Sequence, residues 1–292
     1  MSSAVDVINT PEKSSMPWGL WLRQIRAIVS LELEKNFFSR RSILIYLIAA
    51  LPLFPLTILA LIRPESDGPM TDFNNVGKVY VVLYHGLIVR TVVFFGCAWI
   101  FMNLFRGELV DRSLHYYFLS AVRREVLVAG KYLSGLITSI VLFTATTVLA
   151  MVLLYFPHFY SQSVRFFTDG QGFNHLFAYA GITVLACIGY GAFFLVVGLF
   201  VRNPIIPALL LYGWEWLNFL LPPLLKKVSV IHYLNSLMPI PISSAISEGP
   251  LAVIAEPTPA YISIPSMLLI TIAVLILAAY RTRHMEIRYG ND

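Results

Sequence analysis

The stretch YLSGLITSIVLFTATTVLAMVLLYF, residues 132–156, contains no Asp, Glu, Lys or Arg. It is long enough to cross the hydrocarbon layer of a bilayer as a helix, which takes about 20 apolar residues. Five further apolar stretches have comparable lengths, and the six predicted spans are residues 42–62, 79–104, 132–156, 175–201, 205–221 and 262–280. The sequence therefore predicts an all-α polytopic membrane protein with six transmembrane helices.

The composition of the chain agrees with this fold class. Hydrophobic residues make up 58% of the sequence and charged residues 13%, and the mean hydropathy is +0.73. A soluble globule with these proportions would have too little polar surface. The net charge of +5 is the excess of 21 Lys and Arg residues over 16 Asp and Glu residues, and the basic residues are scattered near the predicted helix ends. This distribution favours contact with membrane lipid over a nucleic-acid partner, which would require one basic face.

The basic residues also predict the orientation in the membrane, because cytoplasmic loops carry an excess of Lys and Arg. Six spans place both termini on the same side. Fifteen basic residues lie on that side: Lys13, Arg23, Arg26, Lys35, Arg40, Arg41, Arg106, Arg112, Arg123, Arg124, Lys131, Arg202, Arg281, Arg283 and Arg288. Five lie in the alternate loops: Arg63, Lys78, Arg165, Lys226 and Lys227. We therefore expect a multi-pass protein of the plasma (inner) membrane, with residues 1–41 and the tail 281–292 in the cytoplasm and the membrane domain over residues 42–280.

The segment before the first span has an amphipathic helical pattern. One helical face carries the apolar side chains Trp18, Trp21, Leu22, Ile25, Ile28 and Val29, and Arg23 and Arg26 fall elsewhere. This pattern predicts an interfacial amphipathic helix along the inner leaflet. The alternative is that these residues form the first turns of an unusually long first span.

The chain lacks the residue patterns that several classes of enzyme require. A P-loop needs Gly-x-x-x-x-Gly-Lys followed by Ser or Thr, and Gly130-Lys131-Tyr132 does not meet that pattern. His85 is the one histidine clearly inside a predicted span, and no span carries the paired carboxylates of an intramembrane metalloenzyme. Cys97 and Cys187 are interpreted as small packing residues. We therefore predict no enzymatic activity, no metal and no cofactor in this chain.

The cytoplasmic loop over residues 105–131, between spans two and three, is too amphipathic for a passive tether. The first part of the loop is charged and is followed by Leu114 and Phe118, which share a helical face at i and i+4. Ser120 is placed to cap a second helix that leads to span three. A short helix, a break and a second helix are predicted to project from the membrane. The alternative is a solvated loop whose charges only fix the topology.

This loop resembles the coupling region of the ATP-binding cassette (ABC) type 2 transporter permease family. The positions that match the family pattern are Glu108 and Asp111 (acidic), Ser113-Leu114, Phe118-Leu119-Ser120, Arg123 or Arg124 (basic) and the pair Gly130-Lys131. Tyr233-Leu234-Asn235-Ser236 is similar to the Tyr-Leu-Asn-Pro element of the family, with Ser236 in place of its proline. That element lies in a long external segment, residues 222–261, parts of which the resemblance places back in the outer leaflet.

The resemblance implies that this chain is the permease subunit of an exporter. Its ATP and Mg would be bound by a partner, an ABC-type ATPase present in two copies, and a second permease subunit, identical or homologous, would complete the complex. The residues assigned to ATPase coupling are Glu108, Asp111, Arg112, Leu114, Phe118, Leu119, Ser120, Arg123, Arg124 and Lys131. The alternatives are a membrane scaffold that transports nothing and an ion-coupled secondary transporter.

Two charged residues lie inside predicted spans, Arg90 in span two and Glu215 in span five. A lone charge in a bilayer is costly, so both residues are predicted either to form an internal ion pair or to face a substrate pathway. Pro52 and Pro55 are predicted to kink span one. Four glycines in span four are predicted to permit close helix approach: Gly181, Gly189, Gly191 and Gly198.

Overall fold

Helices account for most of the described chain. The computed structural model describes residues 18–40, 42–61, 72–110, 123–201, 205–217, 222, 229–242 and 258–283, and none of these residues is in a strand. The helices are α1 Trp18–Phe38, α2 Ser42–Ala50, α3 Leu53–Leu61, α4 Phe73–Leu83, α5 Phe94–Val110, α6 Arg124–Thr168, α7 Gly172–Phe200, α8 Ile205–Trp216, α9 Val230–Ser236 and α10 Ala260–Arg283. α6 is kinked at Phe159, where the backbone is not helical. A π-helical segment, Tyr84–Val93, joins α4 to α5.

Five helical stretches in the described part of the chain are long and apolar enough to cross a membrane. They are Ser42–Leu61, Asn75–Phe105, Arg124–Pro157, Gly172–Phe200 and Ala260–Thr282. They coincide with predicted spans one, two, three, four and six. The predicted fifth span, residues 205–221, contains α8, which has 12 residues, and residues 218–221 lie outside the described chain. Because α8 alone is shorter than the ~20 residues that a crossing requires, the fifth span, and with it the total of six spans, stays a prediction.

The predicted kink in span one is a break between two helices. α2 ends at Ala50, residues 51 and 52 form a turn, and α3 begins at Leu53. Pro52 supplies no amide hydrogen, so the helical ladder is interrupted at this point. Pro55 lies in the first turn of α3, where a proline is tolerated.

α6 runs antiparallel to the continuous stretch formed by α4, the π-helical segment and α5. Near the start of α6, Nζ of Lys131 donates a hydrogen bond to the carbonyl oxygen of Leu104, at 2.7 Å. Farther along α6, the ring of Tyr155 packs edge-on against Phe73, with the centroids 5.9 Å apart. The start of one helix thus meets the end of the other.

α7 runs parallel to the same stretch. The hydroxyl of Tyr84 donates to the carbonyl oxygen of Tyr179, at 2.9 Å. Farther along both helices, Gly198 lies so close to α5 that an added Cβ would be 3.0 Å from Cα of Met102. The absence of a side chain at Gly198 allows the two backbones to approach.

α10 runs parallel to α7. A Cβ added to Gly189 would lie 2.7 Å from Cε of Met267 in the first half of α10, and the guanidinium carbon of Arg281 lies 5.2 Å from the ring centroid of Phe200. The close approach predicted for the span-four glycines is confirmed at three positions: Gly189, Gly191 and Gly198. At Gly181 nothing lies within 4 Å of an added Cβ.

These directions bring several helix ends together at one end of the bundle. The guanidinium of Arg123 stacks on Trp21 near the start of α1, 4.8 Å from its ring centroid. Nη1 of Arg124 donates to the carbonyl oxygen of Thr282 in the last turn of α10, at 3.2 Å. We call this the basic end, defined by Arg123, Arg124, Lys131 and Arg281. The first turns of α1 and the last turn of α10 therefore lie at the same end.

Candidate functional site

At the basic end, α1 lies alongside the first third of α6. Their contacts advance together along both helices, from Trp21 with Arg123, through Ile28 against Gly130, to Asn36 with Thr138. The contacts run from residue 21 to 36 on one side and from residue 123 to 138 on the other, which is 15 steps, or roughly 22 Å at 1.5 Å per residue. Helices that crossed at a steep angle would touch over a shorter length, so the two helices run side by side in the same direction.

A buried ion pair fastens α1 to α6. Nζ of Lys131 lies 2.8 Å from Oε1 of Glu32, and the Lys131 side chain is fully buried. The same ammonium group donates to Leu104 of α5 and lies 5.2 Å from the ring centroid of Phe105. The ammonium group of Lys131 thus connects α6 to both α1 and α5.

Gly130 completes this junction. A Cβ at Gly130 would lie 2.9 Å from Cγ2 of Ile28, so the glycine lets α1 approach α6. The pair Gly130-Lys131, which the sequence analysis identified from a family pattern, therefore has a packing role within this chain. Gly130 supplies the space and Lys131 supplies the charge that Glu32 requires.

The charges of α1 indicate that this helix is not embedded in hydrocarbon. α1 carries Glu34 and Lys35 on its exposed surface, and it is not among the membrane-span candidates. The apolar part of α6, Arg124–Pro157, has 34 residues, about 51 Å, whereas a hydrocarbon layer is about 30 Å thick. The part of α6 that lies beside α1 can therefore project beyond the membrane.

The apolar face predicted for α1 is divided in the structure. Ile28 is buried, and Trp21 and Ile25 are half-buried. Trp18 and Leu22 remain exposed, at 63% and 66% of their surface. α1 itself is confirmed as a helix, and its interfacial position stays a prediction.

The residues predicted to couple to an ATPase divide into three groups. Arg123 is exposed, Arg124 is half-buried against α10, and Lys131 is buried. Glu108 lies in the last turns of α5, and its side chain is outside the description. The remaining residues lie outside the described chain: Asp111, Arg112, Leu114, Phe118, Leu119 and Ser120. Because Lys131 has no exposed surface, any influence that it has on a partner protein is indirect.

The second region of interest surrounds Arg90 and Glu215, the two charged residues predicted to lie within spans. Glu215 is 2% exposed and its carboxylate accepts three hydrogen bonds at the start of α9. The donors are Oγ of Ser229 at 2.6 Å, N of Val230 at 3.2 Å and N of Ile231 at 3.2 Å. The N-terminus of a helix favours a negative charge, so this carboxylate holds α9 in place.

Arg90 has a different environment. Its guanidinium carbon lies 5.2 Å from the ring centroid of Trp216, and its Nε atom is buried without a hydrogen-bond partner among the described residues. Arg90 and Glu215 interact electrostatically, but the carboxylate oxygens are directed at α9. Within the described chain the two charges are held by separate contacts instead of a direct ion pair, and a role of either in a substrate pathway stays a prediction.

The π-helical segment determines what Arg90 faces. In an α-helix, residues five apart are separated by about 140° around the axis, whereas the i→i+5 hydrogen bonds of a π-helix bring them near one side. Arg90 thereby interacts electrostatically with His85, which is 7% exposed. The hydroxyl of Thr91 donates to the carbonyl oxygen of Gly86, at 3.0 Å, across the same five-residue interval. If the segment is assumed to be α-helical, the sequence places His85 and Arg90 on different sides of the helix, and this interaction is not predicted.

α9, in the segment 222–261, packs against the helix bundle, and the predicted return of parts of this segment into the outer leaflet stays a prediction. Four consecutive residues of α9 are buried: Ile231, His232, Tyr233 and Leu234. Val230 lies against Gly189 in α7, and Ile240, just beyond α9, lies against Gly77 in α4. Asn235, in the element Tyr233-Leu234-Asn235-Ser236, interacts with His85. These contacts bring α9 to the neighbourhood of Arg90.

The described residues contain no group of three His, Cys, Asp or Glu side chains arranged to hold a metal ion. Comparison of the chain with protein-family models, with curated proteins and with solved structures finds no match.

Proposed function

We propose that this chain is the transmembrane permease subunit of an ABC-type exporter, in which a separate ATPase subunit supplies the energy. The observation that carries the proposal is the continuity of α6. This helix begins at the exposed basic end, directly after the predicted coupling segment, and continues as a candidate membrane span. A displacement of residues 111–122 by a partner would be transmitted to the membrane domain through one helix.

The ion pair between Glu32 and Lys131 extends this route. Because it joins α6 to α1 and because Lys131 also binds Leu104 of α5, the first third of α6 moves together with two neighbours. α1, which lies alongside the first third of α6, would serve as a brace for this unit. The proposed coupling contacts are apolar at Leu114 and Phe118 and charged at Asp111, Arg112, Arg123 and Arg124.

Six spans, with both termini in the cytoplasm, are part of the proposal. α7 and α10 are both candidate spans and run in the same direction. If both cross the membrane, the chain between them would return across it, and α8 with residues 217–221 is the stretch proposed to do so. A second permease subunit and two ATPase subunits complete the proposed complex, with ATP and Mg bound by the ATPases.

Co-isolation with a motor protein tests this function. The chain, purified from its native membrane, is expected to bring down a P-loop ATPase, and the reconstituted complex is expected to hydrolyse ATP in a vanadate-sensitive manner. Isolation of the intact chain without such an ATPase would contradict the proposal and would favour the scaffold or the ion-coupled transporter.

A pair of variants tests the coupling face. Phe118→Glu is expected to abolish association with the ATPase, because a carboxylate would enter the apolar contact. Tyr116→Glu introduces the same charge on the opposite face of the predicted helix and should leave association intact. Equal association of both variants, with normal folding, would refute the assignment of Leu114 and Phe118.

A further inference from the structure

We propose that residues 160–168, the part of α6 beyond its kink, lie flat in the lipid headgroup region of the bilayer, at the end of the bundle opposite the basic end. We call these residues the return segment. The proposal goes beyond the transport function and requires only that α6 and α7 cross the membrane. Its outcome is therefore independent of coupling to an ATPase.

The chain turns back on itself where the candidate span in α6 ends. Pro157 lies inside the helix, and Phe159 has the non-helical backbone angles φ −129° and ψ 39°. Beyond the kink, the buried hydroxyl of Ser163 donates to the carbonyl oxygen of Tyr155, at 2.7 Å. The ring of Phe166 stacks on Tyr155, with the centroids 5.6 Å apart. A straight helix would separate residues eight and eleven apart by roughly 12 and 16 Å along its axis, so the return segment doubles back beside the last turns of the span.

Aromatic contacts fix the depth of the return segment. Phe73, the first residue of α4, packs edge-on against Phe159 and Phe166, with centroid distances of 5.7 and 5.8 Å. Phe167 stacks on Phe156, at 5.7 Å, and Phe156 lies in the last turn of the candidate span in α6. The return segment is thus level with the end of that span and does not extend away from it. If α6 crosses the bilayer, this is the level at which hydrocarbon meets the headgroups.

The exposed surface of the return segment has an apolar side and a polar side. Tyr160 and Val164, one helical turn apart, are 70% and 36% exposed. Ser161, Gln162 and Arg165 are also exposed, and Gln162 lies about 200° from Tyr160 around the helix axis, at 100° per residue. A helix in the plane of the membrane interface has this pattern, with its apolar side toward the acyl chains and its polar side toward water.

The apolar side continues onto the candidate span in α6. Leu149, Val152 and Phe156 share one face of that helix at i, i+3 and i+7, and the first two are exposed. Phe156 in turn contacts Tyr160, with the ring centroids 6.1 Å apart. One apolar surface therefore runs from the span onto the return segment.

The same surface reaches the candidate span in α7. Phe167 packs edge-on against Phe173 in the first turn of α7, at 5.5 Å. Phe173 and Phe177, one turn farther on, are both exposed. A phospholipid bilayer is the occupant that would cover both spans and the return segment together. Aromatic side chains are enriched where a membrane protein crosses the interface, and Arg165 on the polar side suits the phosphate groups of the lipid.

The test uses the full chain in phosphatidylcholine nanodiscs, with a fluorescent probe on one added cysteine. Because Cys97 and Cys187 are buried, thiol labelling of the folded chain is directed to the added cysteine, and the parent chain gives the background. Three quenchers are compared: a nitroxide on the lipid headgroup, a nitroxide in the middle of the acyl chain, and aqueous iodide.

The probe at Tyr160→Cys is expected to lose most fluorescence to the headgroup nitroxide and little to iodide. Gln162→Cys is the matched control, two residues away on the polar side, and should lose most to iodide. Leu149→Cys lies about 12 Å from Pro157 along α6 and should lose most to the acyl-chain nitroxide. Val164→Cys measures the apolar side a second time and replaces Tyr160→Cys if that variant does not fold.

Two results would overturn the position of the return segment. One is equal quenching by iodide at Tyr160→Cys and Gln162→Cys, since both sides would then face water. The other is protection of Tyr160→Cys from all three quenchers, which would assign the apolar side to a protein contact such as a second copy of this chain. Quenching of Leu149→Cys by iodide instead of the acyl-chain nitroxide would refute the premise that α6 crosses the bilayer.

Discussion

The ion pair between Glu32 and Lys131 allows a quantitative prediction. Replacing one partner leaves the other charge buried, and breaking a buried pair in this way costs about 3–5 kcal/mol. Lys131→Met should fall near the lower value, because Glu32 retains Lys35 at 3.5 Å. Glu32→Leu should fall near the upper value, because Lys131 is fully buried and its ammonium group loses its carboxylate.

The double variant Glu32→Leu/Lys131→Met should behave differently. It removes both charges and leaves apolar side chains of similar volume, an exchange that is often neutral or stabilising. We therefore expect its stability to lie within about 1 kcal/mol of the parent chain. Lys35→Met is the control, since Lys35 is 54% exposed and a surface partner contributes about 0–1 kcal/mol.

The four variants are compared by thermal unfolding in one detergent, with a thiol-reactive dye that reports exposure of the buried Cys97 and Cys187. A loss of 3 kcal/mol should lower the melting temperature by about 6–12 °C. The reasoning is refuted if each single variant loses less than about 1 kcal/mol, or if the double variant loses the sum of both. Retained ATPase association in the double variant would show that Lys131 acts through packing and not by direct contact with the partner.

Three further predictions concern other parts of the molecule. Glu215→Gln should destabilise the chain by about 1.5–3 kcal/mol, because α9 loses a charged acceptor, and unchanged thermal stability would contradict this role. Gly198→Ala should reduce stability by about 1–3 kcal/mol, since its Cβ would meet the backbone of Met102. Gly181→Ala, whose Cβ would enter open space, should be neutral or stabilising. Equal melting temperatures of the two variants would refute the close-approach argument. A reporter fused after Asp292 should be cytoplasmic, and an external signal would contradict the topology.

Much of the helical framework followed from the sequence because membrane spans are defined by local composition. An apolar stretch in a bilayer must satisfy its backbone hydrogen bonds internally, so length and hydropathy are sufficient to predict a helix. Five predicted spans coincide with candidate spans in the structure. The break at Pro52 was predictable for a similar local reason, since proline cannot donate to the helical ladder.

The environments of charged residues were not predictable in this way. Lys131 was assigned to ATPase coupling from a sequence pattern, which did not indicate that it is buried against Glu32, 99 residues away in the chain. Glu215 was considered as a partner of Arg90, and its hydrogen bonds go to the start of α9. Which opposite charge or helix end is near depends on how separate helices pack.

The sequence by itself determined that this chain is helical and apolar enough for a membrane, where most of its spans lie and which residues are charged within them. Those properties depend on residues close together in the chain. Only the tertiary structure decided that α1 lies along α6, that α7 and α10 run parallel, and that a π-helical segment contains both Arg90 and His85, which interact electrostatically. These features arise from contacts between distant residues and from a change in helical period, neither of which the local hydrophobic pattern specifies.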